Sequence, residues 1–345
     1  MATISNNMNL IPSLDILPQY SDEVNPPHID TQELQSLCSK IVEVFKGCGL
    51  RIAKIKAQVG ISFYHIEVLS EQDMPISQVK KLIGNQLDTE AYRTLITTPY
   101  LYNYSIGFEI PRSNPDKISI HRLLSSSRYH SDERKFIALP LGATINNKTF
   151  IQSMFLMGSV LIVGENSIST SSMLRSIYLS ILYKQLPMSV KVLRKTIEEP
   201  LDKFVVRVAD EIMERKHYPC TRDVNLYVFI ENIDSYYPLN GIAKEILDVL
   251  LTEGEGLNIY SVITARNVER DTLFIHERIR AHCAFHLPNQ DDSIAIIGSD
   301  YATCLAPKGE CYWQVDDEEP IRLSTPEVRE ETLNSALEQI IWMQQ

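Results

Sequence analysis

The sequence predicts an α/β protein in which a small α+β domain precedes a larger domain built on a mainly parallel sheet. Three observations carry this. From Val160 onward, short apolar runs alternate with segments of helical period, the signature of βαβ units. Upstream, between Thr31 and Arg112, one amphipathic helix is followed by strand-like runs. Between them, "SVLIVGENSISTSSMLRSIYLSILYK" (Ser159–Lys184) reads as an apolar strand, a glycine, a short polar loop and a helix, the layout of a phosphate-binding loop.

Composition bounds the rest. The chain has 345 residues, 44% hydrophobic and 22% charged, enough for two domains with a sizeable core. Its formal net charge of −11 argues against nucleic acid wrapped over the whole surface, while leaving room for a local basic patch. Six scattered cysteines show neither a C-x-x-C nor a zinc-type pairing with histidine, so no metal and no disulfide framework is expected. His282 and His286 are spaced for a metal on a helix, but Pro288 and the strand-like "CAFHL" argue against a helix there. No apolar run reaches membrane-spanning length and no signal-type N-terminus is present, so a cytoplasmic protein without direct membrane insertion is expected.

In chain order, residues 1–30 hold many Asn, Ser and Pro residues and read as a flexible arm. The small domain spans 31–122. "TQELQSLCSKIVEVFKGCG" places Leu34, Leu37, Ile41, Val42 and Phe45 on one helix face, ending at Gly47 or Gly49. Arg51–Leu69 reads as two strands meeting near Gly60, Ser77–Leu87 as a helix, and Tyr104–Arg112 as a strand. The serine-rich stretch 123–135 suits a linker. In 136–345, strands are expected at Val160–Val163, Val190–Leu193, Leu226–Ile230 and Ile259–Ile263, separated by helices at Ser171–Lys184, Leu201–Arg215 and Gly241–Leu251. Ligands of such sheets sit beyond the carboxyl ends of the strands, where Gly164, Glu231 and Thr264 fall.

Several separate segments resemble, in the same order, the FtsK/SpoIIIE family of hexameric DNA-pumping ATPases. "GISFYHIEV" (Gly60–Val68) is similar to the family's "GPVITRFEL", and "IGFEIP" (Ile106–Pro111) to "VGLELP". "IALPLGATINNKTF" (Ile137–Phe150) resembles "LPLALGKDISGEPV", "LSILYK" (Leu179–Lys184) resembles "LSLLYK", and "IMERKHY" (Ile212–Tyr218) resembles "EMERRY". Asp292–Trp313 is spaced like "DSRTILDQAG…GMGDMLY". The resemblance runs from about Leu34 to about Leu323 and implies a RecA-like P-loop motor domain of the HerA/FtsK superfamily. Relative to the family the chain lacks membrane spans, the long linker, the winged-helix module, and a segment between Leu193 and Leu201.

The resemblance also marks where the chemistry departs. A working G-x-x-x-x-G-K-[ST] loop needs its glycines for close backbone approach, a lysine for the β/γ-phosphates and a hydroxyl for Mg²⁺. The window "GENSISTS" keeps Gly164 and Ser171 but puts Ser169 at the second glycine and Thr170 at the lysine. A charged hydrogen bond to phosphate is worth about 1.5–3 kcal/mol, so ATP affinity should fall by orders of magnitude. Ser169 would carry a Cβ penalty in left-handed geometry, and Glu165 adds a negative charge. The same hydroxyls equally suit a helix cap with no ligand.

After the strand Leu226–Ile230 the family's Asp-Glu pair is replaced by Glu231 and Asn232; Glu231 can still organise a metal-bound water, but an amide is no general base. Asp234 is a substitute base or, more simply, a helix-start cap. "TAR" (Thr264–Arg266) resembles the family's "TQR" sensor, with Thr264 keeping a hydroxyl for the γ-phosphate. Ile294 stands where the family's trans-acting arginine belongs, a residue worth about 10³–10⁵ in rate.

The expected protein is therefore a catalytically impaired FtsK-like subunit or adaptor that requires no cofactor and binds ATP, ADP and Mg²⁺ weakly at most. It would assemble with itself or as a hetero-oligomer with an active FtsK-like ATPase, on double-stranded DNA or a protein cargo. Two alternatives differ in class. One is a slow or unconventional ATP-dependent double-stranded DNA translocase in which Lys184, Lys148 or a neighbouring chain supplies the missing charge and Arg280 or Arg278 stands in for the trans-acting arginine; the other is a nucleotide-independent DNA- or protein-binding module.

Overall fold

The computed structural model describes residues 12–19, 27–71, 81, 87, 95–97, 105–130, 138–184, 189–195 and 198–344. Helix α1 (Thr31–Gly47) opens on Asp30, whose carboxylate accepts from the N–H groups of Gln32 and Glu33. It closes where Gly49 takes φ +72°, letting Leu50 N–H reach back to the Phe45 carbonyl at 2.9 Å. Strands β1 (Ile52–Val59), β2 (Phe63–Ser70), β3 (Leu95–Thr97) and β4 (Ser105–Pro111) form an antiparallel sheet in the order β1-β2-β4-β3. Alternate residues Tyr64, Ile66 and Val68 of β2, with Ile106, Phe108 and Ile110 of β4, close over Ile41 and Phe45 of α1. Val42, expected on that face, is 42% exposed, because it sits one position past Ile41 and turns about 100° away from the sheet. The helix expected at Ser77–Leu87 lies almost wholly outside the described residues.

The stretch expected as a linker is folded wherever it is described. Helices α2 (Ile120–Leu124) and α3 (Ser127–His130) bury Leu123, Leu124 and Tyr129. A serine there acts as a cap, Ser126 Oγ accepting from Tyr129 N–H at 3.4 Å, and the Tyr129 hydroxyl donates to the Ser180 carbonyl at 2.7 Å. Part of the N-terminal arm is likewise docked: Leu17 is buried against the large domain and the Tyr183 hydroxyl donates to the Ser13 carbonyl.

The large domain holds a nine-stranded sheet. Its strands are β5 (Ala138–Ala143), β6 (Thr149–Ser153), β7 (Val160–Val163), β8 (Val190–Arg194), β9 (Asn225–Ile230), β10 (Ile259–Ala265), β11 (Ala281–Ala284), β12 (Glu310–Val315) and β13 (Ile321–Ser324). They run in the order β6-β5-β13-β12-β11-β7-β10-β9-β8. The sheet is mixed. From β11 to β8 every pairing is parallel, as the βαβ alternation predicts. From β11 to β6 every pairing is antiparallel, because β5–β6 and β12–β13 are hairpins with no crossover helix between their strands.

Helix α4 (Met154–Met157) precedes β7; α5 (Ser167–Lys184), α6 (Leu201–His217) and α7 (Gly241–Glu253) are the crossovers between parallel strands. Helices α8 (Arg270–His276), α9 (Gln290–Ile297) and α10 (Glu330–Gln344) follow. The apolar runs are continuous because both sheet faces are covered. Tyr227 and Phe229 of β9 pack with α5 on one face, while Leu226, Val228 and Ile230 pack with α6 and α7 on the other.

The two sheets are bridged by buried charge. Arg322 on β13 donates to Glu109 of β4 at 3.0 Å and to Glu310 of β12 at 2.7 Å, and the Tyr312 hydroxyl also donates to Glu109. His65 pairs with the same carboxylate at 3.7 Å. Burial alone would raise the Glu109 pKa, but the His65 hydrogen bond and the Arg322 charge hold it below the usual carboxylate range.

Candidate functional site

Strands β7, β10 and β9 are adjacent and parallel, in a register that pairs Val163 with Ala265 and Ile230 with Ile263. Gly164, Thr264 and Glu231 therefore share the carboxyl edge of the sheet, as expected from the strand ends. Gly164 is needed for contact rather than for conformation. A Cβ there would stand 2.6 Å from the Phe285 Cβ, a strand away on the β11 side, while its N–H donates to the Ala265 carbonyl.

The loop itself is short. Helix α5 begins at Ser167, not Ser171, so only Glu165 and Asn166 separate Gly164 from the first helical turn. Their neighbourhood is hydrogen-bonded internally: Glu165 N–H donates to the His286 carbonyl, Ile168 N–H to Asn166 Oδ1, and both Ser169 and Thr170 N–H to the Asn166 carbonyl. Asn166 caps the helix from inside the window where a phosphate loop keeps its amides open. Ser169 is consequently helical, and the left-handed strain expected of it does not arise. Thr170 is fully buried, with its hydroxyl on the Ser167 carbonyl at 3.1 Å; Ser171 is buried as well.

At the end of β9 the Glu231 carboxylate is held by two guanidinium groups. Arg194 Nη2 donates to it at 2.7 Å and Arg175 Nη2 lies 3.5 Å away. Both arginines also bind Glu330, in the first turn of α10, at 2.6 to 2.8 Å. Hydrogen bonds from Arg194 hold the Glu330 carboxyl below its usual range, with Arg175 adding to the effect against some burial. The incoming segment is clamped at Ser172, whose hydroxyl donates to the Pro326 carbonyl and accepts from Val328 N–H. The sequence reading missed Arg175, Arg194 and Glu330. Arg175 follows Ser171 by one helical turn and was legible from that spacing; Glu330 comes from a segment 99 residues past Glu231 and was not.

Asn232 takes a left-handed conformation at φ 51°, and its N–H donates to the Thr264 hydroxyl at 2.8 Å. Thr264 is fully buried, and its hydroxyl is thus engaged with the backbone beside it. Asp234 is neither a free base nor the cap of its own turn. Its carboxylate is 1% exposed and accepts from Arg266 N–H and Nε and from Asn267 Nδ2 at 3.1 to 3.2 Å.

The residues proposed to replace missing charge are placed elsewhere. Lys184 lies at the far end of α5, donating to the Tyr129 carbonyl and resting over the Tyr129 ring. Lys148 is exposed on the β5–β6 hairpin at the opposite edge of the sheet. Arg278 pairs with Asp248 and stacks on Phe274, and Arg280 pairs bidentately with Asp316 at 2.9 Å. Ile294 is 46% exposed on α9. Among the described residues no group of three His, Cys, Asp or Glu converges as a metal site, and no helix is long and apolar enough to cross a membrane.

No family model matches the chain. Among curated proteins it is 24% identical over 195 residues to the DNA translocase FtsK of Clostridium acetobutylicum, covering 55% of this chain and 25% of that protein. With FtsK of Lactococcus lactis it shares 21% identity over 373 residues, covering 92% and 48%. The chain thus spans between a quarter and a half of the length of these relatives. Among solved structures, the pCW3 conjugation coupling protein TcpA, determined with ATPγS, superposes at a TM-score of 0.54 with 10% identity over 88% of this chain and 99% of that one. The cytoplasmic domain of the Thermomonospora curvata type VII secretion ATPase EccC gives 0.51 with 13% identity over 65% and 34%.

Proposed function

We propose, for a chain weakly homologous to FtsK DNA translocases and built on the fold of FtsK- and HerA-type P-loop ATPases, that it serves as a non-hydrolysing cytoplasmic subunit or adaptor of a macromolecule-pumping assembly. The observation that carries this reading is the start of α5 at Ser167, with Asn166 occupying the amides of Ser169 and Thr170 and Thr170 fully buried where the lysine would stand. The residues present do not fit a triphosphate in that loop.

Other features support the same reading. Glu231 is neutralised by Arg175 and Arg194, Asn232 is no base, and Asp234 is saturated by three donors. Lys184, Arg278 and Arg280 are committed to partners of their own and Lys148 lies at the opposite edge of the sheet, which weighs against a slow ATPase that draws its charge from this same chain. In place of a nucleotide, the Glu231–Arg175–Arg194–Glu330 network ties the strand edge, α5 and α10 together. A rigid subunit of this kind transmits force or docks cargo while an active relative, or further copies of itself, supplies the ring. DNA and protein are both candidate cargoes, because the names of the structural neighbours include a conjugation coupling protein and a secretion ATPase.

The test is calorimetric titration of ATP and ADP with Mg²⁺ into the purified protein, with a phosphate-release assay on the same sample. No binding into the millimolar range and no release are expected. Magnesium-dependent turnover would overturn the proposal in favour of a motor with rearranged chemistry.

A further inference from the structure

Beside the closed loop lies a cavity of about 290 Å³ between the two domains. Its walls come from the first turn of α5, the turn before β12, the end of β13 and the segment before α2. Most hydroxyls around it are satisfied: Ser62 and Ser324 bond to each other at 2.6 Å, and Ser172 is spent on the Pro326–Val328 backbone. Two are not. Ser169 and Thr325 are only 7% and 8% exposed, both line the cavity, and neither hydroxyl has a partner among the described residues. Neither hydroxyl is sealed from the cavity, so a polar molecule there can bond to each without displacing a protein contact.

The charges set the sign. Asp116 is taken by Arg112 at 2.7 Å and Glu327 by Arg329 at 3.2 Å. Lys308 also lines the cavity and has no ion-pair partner among the described residues. It is held there by Gly309, which takes φ +77° and accepts Thr325 N–H at 2.9 Å. Ile61 and Ile118 supply an apolar wall. Two hydroxyls and an ammonium arriving from three separate segments suit a tetrahedral oxyanion better than a planar carboxylate, and the volume lies just under the roughly 300–1,000 Å³ of typical ligand pockets. We propose that this cavity binds a small organic phosphate monoester through Ser169, Thr325 and Lys308.

The inference does not depend on whether the chain hydrolyses ATP. Its test is calorimetric titration of inorganic phosphate and of glycerol 3-phosphate into the full chain and into three variants. Thr325→Val removes a hydroxyl at constant shape, Lys308→Glu reverses the exposed cation, and Lys148→Glu makes the same charge change at the far edge of the sheet. Saturable binding is expected, weakened about tenfold or more by each of the first two variants, the equivalent of about 1.4 kcal/mol, and unchanged by the third. No saturable binding of either probe into the millimolar range overturns the proposal. So does binding that Lys148→Glu weakens as much as Lys308→Glu, because the site would then be general surface charge.

Discussion

Placing a lysine at Thr170 should destabilise this protein. In Thr170→Lys, the hydroxyl bond to the Ser167 carbonyl is lost, and a long side chain enters a position with no exposure, where the Thr170 Cγ2 already packs 3.3 Å from the point a Gly164 Cβ would occupy. Overpacking of this kind costs about 1–3 kcal/mol, and a buried ammonium without a partner costs several more. The ammonium escapes that second cost only if the first turn of α5 unwinds and gives up the Asn166 cap. A loss of about 3–6 kcal/mol is therefore expected, which at roughly 2–4 °C per kcal/mol lowers the melting temperature by about 6–24 °C. Thermal unfolding followed by fluorescence, with and without Mg-ATP, reads this directly. A variant that melts at the wild-type temperature and gains several degrees from Mg-ATP would refute the reasoning, because it would mean the loop opens freely and lacks only its lysine.

Three further outcomes follow from the geometry. Arg322→Met should lower stability by about 3–5 kcal/mol, read as a shift in the urea midpoint, because it strands the fully buried Glu310 and removes a donor from Glu109. Gly164→Ala should cost about 1–3 kcal/mol in the same assay; the obstacle is the Phe285 Cβ, which every residue but glycine carries, so Gly164→Ala combined with Phe285→Leu should be no more stable than Gly164→Ala alone. His282 is buried against His276, with ring centroids 4.0 Å apart, and burial with the neighbouring imidazole pushes its pKa from 6.5 down to about 4. Between those values the unfolded chain binds a proton that the folded one refuses, so stability should fall as pH drops from 6.5 toward 4, by on the order of 3 kcal/mol. Replacing His282 with Asn should flatten that part of the pH–stability curve.

Much of the parallel half of the sheet was legible because its signals are local. The runs "VLIV" and "LYVFI" are apolar on both faces, and each is followed by a helix of the right length to cross back, so β7 to β10 emerge from periodicity alone. The antiparallel half was not: β12 and β13 contain Glu310 and Arg322, which read as exposed positions until the small domain supplies Glu109 to join them. The stretch at 123–135 misled for a related reason, because a serine that suggests a linker, Ser126, becomes a cap once Leu123, Leu124 and Tyr129 have a core to enter.

At the site, the sequence by itself determined which residues stand at the strand ends and on the helices beside them: Thr170, Asn232 and Ile294. Only the tertiary structure decided what those residues touch. Where α5 starts depends on Asn166 finding the Ser169 and Thr170 amides, and the fate of Glu231 depends on Arg194 from a neighbouring strand and on Glu330 from a helix 99 residues further along the chain. Hydrogen-bond caps and ion pairs are contacts through space, and a residue's partner across the fold leaves no mark on its neighbours in sequence.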